Sequence, residues 1–340
     1  MNMNLQPLLN KAIHRTLTES DAREAALALM SGTVLPAQAG GLLSALRARG
    51  ESLSEIVGFA RALRENADPF PLEGDDLLDT CGTGGDGLST FNVSTLSGLV
   101  VAACGVRVAK HGNRAVSSRC GSADLLEAIG ICVDVAPAVA ARCIEETGFG
   151  FLFAPRYHPM LRSLGPLRRE LGFRSIFNLA GPLANPARVG LQLVGVPAMD
   201  LLRPVAEAVH SLGARRAFVV HGHDGSDEVS ITGATAVLEV GEDGVTSRVI
   251  HPEDAGLVAC RPEDVVGADA ATNALAALRL LEGERGPLHD FVVLNAGAAL
   301  MVAGETDLLR TGAEMAREAL LSGRARRVVD VLRRLTAEAA

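Results

Sequence analysis

Up to Asp68 the apolar positions recur at helical spacing, and no stretch alternates as a half-buried strand would. Leu5, Leu8, Leu9, Ala12 and Ile13 share one face of a first helix. Ser20 is placed to cap a second helix that stops near Gly32, and Pro36 opens a third that ends at Gly50. Ser52 or Ser54 starts a fourth, broken by the Asp68-Pro69 pair. Four short helices without a strand predict a small all-helical domain over residues 1–70, joined by helices from about 165–190.

From Leu77 the rhythm becomes strand, glycine-rich turn, helix. Apolar runs at 106–109, 150–153, 191–196 and 217–221 read as strands, and 201–212 reads as the helix between the last two. This alternation predicts right-handed βαβ units, hence a larger α/β domain over 71–340 with a mainly parallel central sheet flanked by helices. The run 229–240 reads as one longer strand, at an edge or antiparallel. The chain is helical again from about Ala271 and ends in the basic run 324–334, read as a solvated helix face.

Composition narrows the function. At 340 residues the chain exceeds the size at which one core usually stops growing, and its 48% apolar content excludes disorder. One Tyr, ten Phe and no Trp leave few rings on which bases could stack, and a formal charge of -8 opposes nucleic-acid binding. The six cysteines show no CxxC pair and no companion histidine spacing, so they read as reduced core residues rather than zinc ligands or disulfides. The start lacks the basic-then-apolar order of a secretory signal, and the longest apolar stretch, 96–106, is too short to span a bilayer. A cytoplasmic enzyme with no membrane partner is the expectation.

The chemistry begins at DTCGTGGDG, residues 79–87, directly after the apolar pair Leu77-Leu78. Glycines between a strand and a helix can take positive φ and bring backbone N–H groups close to a phosphate. The following helix adds the positive end of its dipole. No GK[ST] follows and no third glycine completes GxGxxG, so this is neither a Walker nor a dinucleotide loop. NVST, residues 92–95, can cap that helix or contact phosphate and metal-bound water. KHGNRAVSS, residues 110–118, again follows a strand, and seven of its nine residues offer a polar side chain or an open backbone. Such polar density at the carboxyl end of a parallel strand is where α/β sheets bind ligands.

In this order and spacing, DTCGTGGDG, FNVST and KHGNRAVSS resemble the anthranilate phosphoribosyltransferase family. APRYHPM from Ala154, LRRELGFRSIFNLAGPLANP from Leu167 and HGHDGSDEVS from His221 extend the match. Ser175 stands where Thr is commoner and Ser226 where an apolar residue is frequent, while Leu161 and Phe173 lie near the acceptor region. The resemblance implies donor binding by Gly82, Gly85, Asp86, Thr90, Asn92, Val93, Ser94, Thr95, Lys110, His111, Gly112, Asn113, Arg114, Ala115, Val116, Ser117, Ser118 and Ser122. It assigns Mg²⁺ to Ser94, Asp227 and Glu228, and anthranilate to Gly82, Asn113, Pro155, His158 and Arg168. A tandem carboxylate suits a cation that prefers oxygen ligands and shares them with phosphates, although Asp227-Glu228 also reads as an acidic surface turn. A guanidinium suits a planar carboxylate, and His158 also reads as a helix-start residue.

The implied reaction moves a phosphoribosyl group from phosphoribosyl diphosphate to the anthranilate nitrogen. The acceptor brings its own nucleophile, and no Ser-His-Asp or Cys-His signature argues for a covalent enzyme intermediate. Catalysis is expected to be positional and electrostatic, resting on Lys110, His111, Asn113 and Arg168, with His111 as the candidate base. A pyrimidine nucleoside phosphorylase would need no tandem carboxylates, and a nucleic-acid-binding relative would need a basic groove. The resemblance also implies a homodimer joined through the helical domain, where Leu8, Leu9, Ile13, Leu42, Leu43 and Leu46 exceed what one helical layer requires.

Overall fold

The structure, a computed structural model, describes residues 4–72, 74–115 and 119–338. The chain opens with α1 (Gln6–His14), α2 (Glu19–Met30), α3 (Pro36–Arg49) and α4 (Leu53–Glu65), close to the expected four helices. The cap of α2 is Thr18, whose hydroxyl accepts from the Asp21 N–H at 3.1 Å, and not Ser20. Leu8 and Ala12, one turn apart, bury α1, whereas Ile13 lies about 100° further round and is 56% exposed. Glu55 is fully buried in α4, where it accepts from the N–H groups of Leu17 and Ser52 at 2.8 Å each and pairs with Arg49. A buried carboxylate is tolerable only with that many donors.

Seven strands follow in one sheet: β1 (Leu78–Gly82), β2 (Val108–Gly112), β3 (Phe149–Phe153), β4 (Leu191–Gly195), β5 (Arg216–Gly222), β6 (Thr235–Gly241) and β7 (Gly244–Ile250). Their order is β3-β2-β1-β4-β5-β6-β7, with the first five parallel and the last two antiparallel. The strand expected over 229–240 starts only at Thr235, because Asp224 gathers the hydroxyls of Ser226, Ser230 and Thr232 into a compact turn before it. Strand β7 has a largely exposed pattern and carries little apolar signal.

Helices α5 (Val93–Ala103), α6 (Ser122–Ala128) and α7 (Pro137–Thr147) connect the early strands. Then come α8 (Ala154–Tyr157), α9 (Gly165–Leu171), α10 (Ile176–Ala180) and α11 (Met199–Ser211). The second half of the 167–186 motif forms α10 and a 3-10 turn at Pro182–Ala184. The tail forms α12 (Ala270–Leu281), α13 (Pro287–Ala303), α14 (Leu309–Leu321) and α15 (Arg324–Ala337). In α15 the basic run is a surface face, with Arg326 and Arg333 each paired to Asp330.

Two main apolar clusters sandwich the sheet. One joins α5, α13 and the tail helices, and the other joins α11 to the N-terminal helices and α10. Leu42, Leu43 and Leu46 are therefore buried within the chain, which removes them from the surplus that argued for a dimer. Strand β1 lies between β2 and β4, so successive crossovers leave it in opposite directions. The crevice at its carboxyl end is the switch point where open α/β sheets bind ligands. Among the described residues no helix is long and apolar enough to cross a membrane.

Candidate functional site

Strand β1 ends at Gly82, and residues 83–92 cross the crevice to α5. Gly84, Gly85 and Gly87 have φ of 66°, 82° and 76°, the region that side chains other than glycine disfavour. Gly82 and Gly195, in register at the ends of β1 and β4, have a different task. A methyl group on Gly82 would overlap the Asp227 carboxylate, and one on Gly195 would overlap the Asp227 carbonyl. Their bare backbones let the loop after β5 fold into the crevice, where Asp227 Oδ2 accepts the Gly84 N–H at 2.8 Å.

The crevice holds a cavity of about 500 Å³. Of the expected donor and metal residues, Gly82, Gly85, Asp86, Thr90, Asn92, Ser94, Thr95, Lys110, His111, Gly112, Asn113, Arg114, Ala115, Ser122, Asp227 and Glu228 line it. Val93 does not: its side chain is fully buried in the core. Val116, Ser117 and Ser118 lie outside the described residues. The Asn92 side chain forms no cap on α5, so its amide is not spent on that helix. A second cavity adjoins the first and shares Asn113 and Ala115 with it. Pro155, His158 and Arg168 line this one, with Leu161, Arg162 and Arg169. Arg168 is half-buried and donates to Asn178 Oδ1 at 3.1 Å, whereas Arg169 is exposed. Asn178 lines the first cavity and so connects the two; the sequence motif contained it without marking its role.

Charge is arranged asymmetrically. Burial, and then the neighbouring Asp86 charge, push the Asp227 carboxyl up to about 6. Burial and Asp227 push Glu228 well above the ordinary carboxylate range. Lys110, 2% exposed, donates to the Thr80 carbonyl, and its Nζ lies 3.5 Å from Ser94 Oγ. Ser94 also lies beside Glu228 and favours its charged form. Asp86 Oδ2 is buried without a partner. Crowded carboxylates that resist ionising, with an unpaired oxygen among them, fit a divalent cation that supplies the missing charge. Among the described residues no three His, Cys, Asp or Glu side chains close around one point. A cation held there would need further ligands from water or substrate phosphate.

His111 and His158 face each other across the border of the cavities, ring centres 5.2 Å apart. Burial lowers the His158 pKa to about 4; it also drives His111 well below its usual value, helped by the repulsion that the two rings would feel if both were protonated. The backbones of Gly181 and Ala184 lie beside His111 and His158 respectively, and the Nε2 atom of each ring is buried without a partner. Both imidazoles are therefore neutral, each with a nitrogen left for a ligand.

The chain matches the Glycosyl transferase family, helical bundle domain, over residues 5–67, and the Glycosyl transferase family, a/b domain, over residues 74–326. An anthranilate phosphoribosyltransferase of Rubrobacter xylanophilus is 48% identical, with 98% of this chain and 99% of the relative covered. One from Rhodospirillum rubrum is 50% identical over 96% of this chain and 93% of its own length. The chain belongs to the anthranilate phosphoribosyltransferase family. The crystal structure of the Thermus thermophilus anthranilate phosphoribosyltransferase superposes with a TM-score of 0.91 at 48% identity, covering 97% of this chain and 99% of that one. The anthranilate phosphoribosyltransferase of Saccharomyces cerevisiae, in complex with PRPP and Mg, superposes at 0.89 with 26% identity and covers 98% of both chains. The expected helical-plus-α/β architecture and the expected family are thus both borne out.

The buried neutral His158 has a measurable consequence. Its pKa is about 4 in the folded chain, against about 6.5 for a free imidazole. Between those values the unfolded chain binds the extra proton, so this residue makes stability rise with pH from about 4 to 6.5, by up to about 3 kcal/mol. His158→Gln is expected to lose that part of the pH dependence. Urea midpoints of both proteins at pH 5 and pH 7 test it, and identical pH dependence would contradict a neutral His158.

Proposed function

We propose that this chain transfers the phosphoribosyl group of 5-phospho-α-D-ribose 1-diphosphate to the amino group of anthranilate, giving N-(5-phosphoribosyl)anthranilate and diphosphate. The observation that carries the reading is the pair of adjoining cavities: one walled by glycine backbone, Lys110 and carboxylates, the other by Arg168, Pro155 and His158. Their common border at Asn113 is where two reactants would meet.

In this reading the diphosphate lies along the 82–95 loop and the start of α5, whose free N–H groups and dipole favour an anion. Ser94, Asp227 and Glu228 hold Mg²⁺, which neutralises charge on the diphosphate when bound. Lys110 adds a fixed positive charge to the same wall. Arg168 takes the anthranilate carboxylate and aims the amine at the ribose carbon. Pyramidal nitrogen and departing diphosphate develop opposite charges, so orientation and electrostatics supply most of the rate. His111 can accept the amine proton at its free nitrogen, but its depressed pKa makes it a weak base and favours late proton transfer. Nothing in the chemistry requires a covalent enzyme intermediate.

The division near residue 70, with helices from about 165–190 joined to the helical part, completes the reading, as does a cytoplasmic location. A homodimer through that part is supported by the family and by Ile13 and Leu35, which are 56% and 47% exposed there. Light scattering at micromolar concentration checks it, and a fully active monomer would exclude it.

Mixing anthranilate, phosphoribosyl diphosphate and Mg²⁺ with the protein is expected to abolish anthranilate fluorescence, and chelation to stop the loss. Persistent fluorescence with folded protein and Mg²⁺ present would refute the activity.

Substitution separates the two sites. Arg168→Ala is expected to weaken anthranilate binding by about 1.5–3 kcal/mol, the range for a charged hydrogen bond, with donor affinity little changed. Lys should rescue poorly, lacking the two-point contact. Gly85→Val is expected to act on the donor alone, because φ is 82° there and a Cβ would press on the Arg174 side chain at 3.3 Å. Steady-state kinetics in both substrates decide, and equal effects of Arg168→Ala on both Michaelis constants would make that residue structural.

A further inference from the structure

Asn273 lies in the first turn of α12, only 3% exposed, within the tail that no site motif reaches. The segment leading to it is fastened along the glycine-rich loop. Thr90 and Val266 form an antiparallel bridge, Phe91 N–H donates to the Val265 carbonyl at 3.0 Å, and Gly267 N–H donates to the Ser89 carbonyl at 2.7 Å. Glycine is required at 267, since a Cβ would meet the Thr90 carbonyl at 2.8 Å.

Two amides then form a directed chain. Ala268 N–H donates to Asn273 Oδ1 at 2.8 Å, Asn273 Nδ2 donates to Asn92 Oδ1 at 2.9 Å, and Asn92 Nδ2 donates to the Cys120 carbonyl at 3.0 Å. A backbone donor at one end and a backbone acceptor at the other leave each amide a single orientation. Asn92 and Cys120 both line the large cavity from segments 28 residues apart, and the lining continues from Cys120 through Ser122. The hydrogen-bonded chain ties those two lining segments to each other and to the tail. It also leaves Asn92 one N–H and no choice of which way to present it.

We propose that Asn273 is a positioning residue for the sugar-diphosphate ligand, acting through Asn92. The proposal rests on the reading of the large cavity as the donor site. Locked amides lower the ordering cost of binding, so the effect falls on donor affinity and not on the acceptor.

Asn273→Asp tests it with little change of shape. The carboxylate can still accept from Ala268, but its second oxygen then faces Asn92 Oδ1. Asn92 must turn over and set its own oxygen against the Cys120 carbonyl. The expected result is a rise of about ten-fold in the donor Michaelis constant, the scale of one lost hydrogen bond, with kcat and the anthranilate Michaelis constant within about two-fold. In an Asn92→Ala background the same substitution is expected to change the donor constant by less than about two-fold. Asn273→Ser, which removes the donor group without adding charge, goes through the same cycle should the Asp variant not fold. Additive effects in both backgrounds, or equal rises for both substrates, overturn the proposal alone. A folded wild-type chain with no turnover of phosphoribosyl diphosphate overturns the donor-site reading and the proposal with it.

Discussion

The Asp227 carbonyl occupies the space that a side chain on Gly195 would need, and the Asp227 carboxylate occupies the space that one on Gly82 would need. That close approach sets the geometry of the crevice. It brings the loop after β5 against the ends of β1 and β4, at the point where strand order turns back. The Gly84 N–H completes the join, 143 residues away in sequence from its acceptor. The turn gathered by Asp224 ties Ser226, Ser230 and Thr232 together on either side of Asp227 and Glu228. Movement of any of these backbones would pull the tandem carboxylates away from Ser94 and Lys110.

The electrostatics follow from the same crowding. Three carboxylates near one cavity would repel an anionic donor if all were ionised and bare. Burial holds Asp227 and Glu228 partly neutral, and Lys110 brings one positive charge to the wall. A divalent cation held there would turn that wall from a liability into the complement of a diphosphate. On the other side of Asn113 the balance reverses. Arg168 and its neighbours Arg162 and Arg169 are unopposed by acids in the lining of the smaller cavity, which suits a carboxylate. The neutral histidines at the border add hydrogen-bonding capacity without adding charge.

This division of labour fits a reaction in which both reactants bring their own chemistry. No nucleophile on the protein is needed. The chain supplies two cavities at a fixed spacing and a field that favours departure of diphosphate. The rigidity comes from directional bonds reaching across the fold: Asn185 to Asp79 at the base of β1, Arg168 to Asn178 between the cavities, and Asn273 to Asn92 from the tail.

The amino-acid sequence by itself determined the four leading helices, the parallel strands that follow and the two polar loops at strand ends. Each is written locally, as a period of apolar positions or as glycines where φ must be positive. It also carried nearly all the residues that line the large cavity. Only the tertiary structure decided that Gly82 and Gly195 make room for Asp227, that Val93 turns into the core and that His111 meets His158. It alone turned Ile13 outward, placed Leu42, Leu43 and Leu46 inside, and brought Asn273 to Asn92. These facts depend on which strand lies beside which and on how helices settle against the sheet. Crossovers and packing fix such relations between residues far apart in the chain, and no local pattern of side chains encodes them.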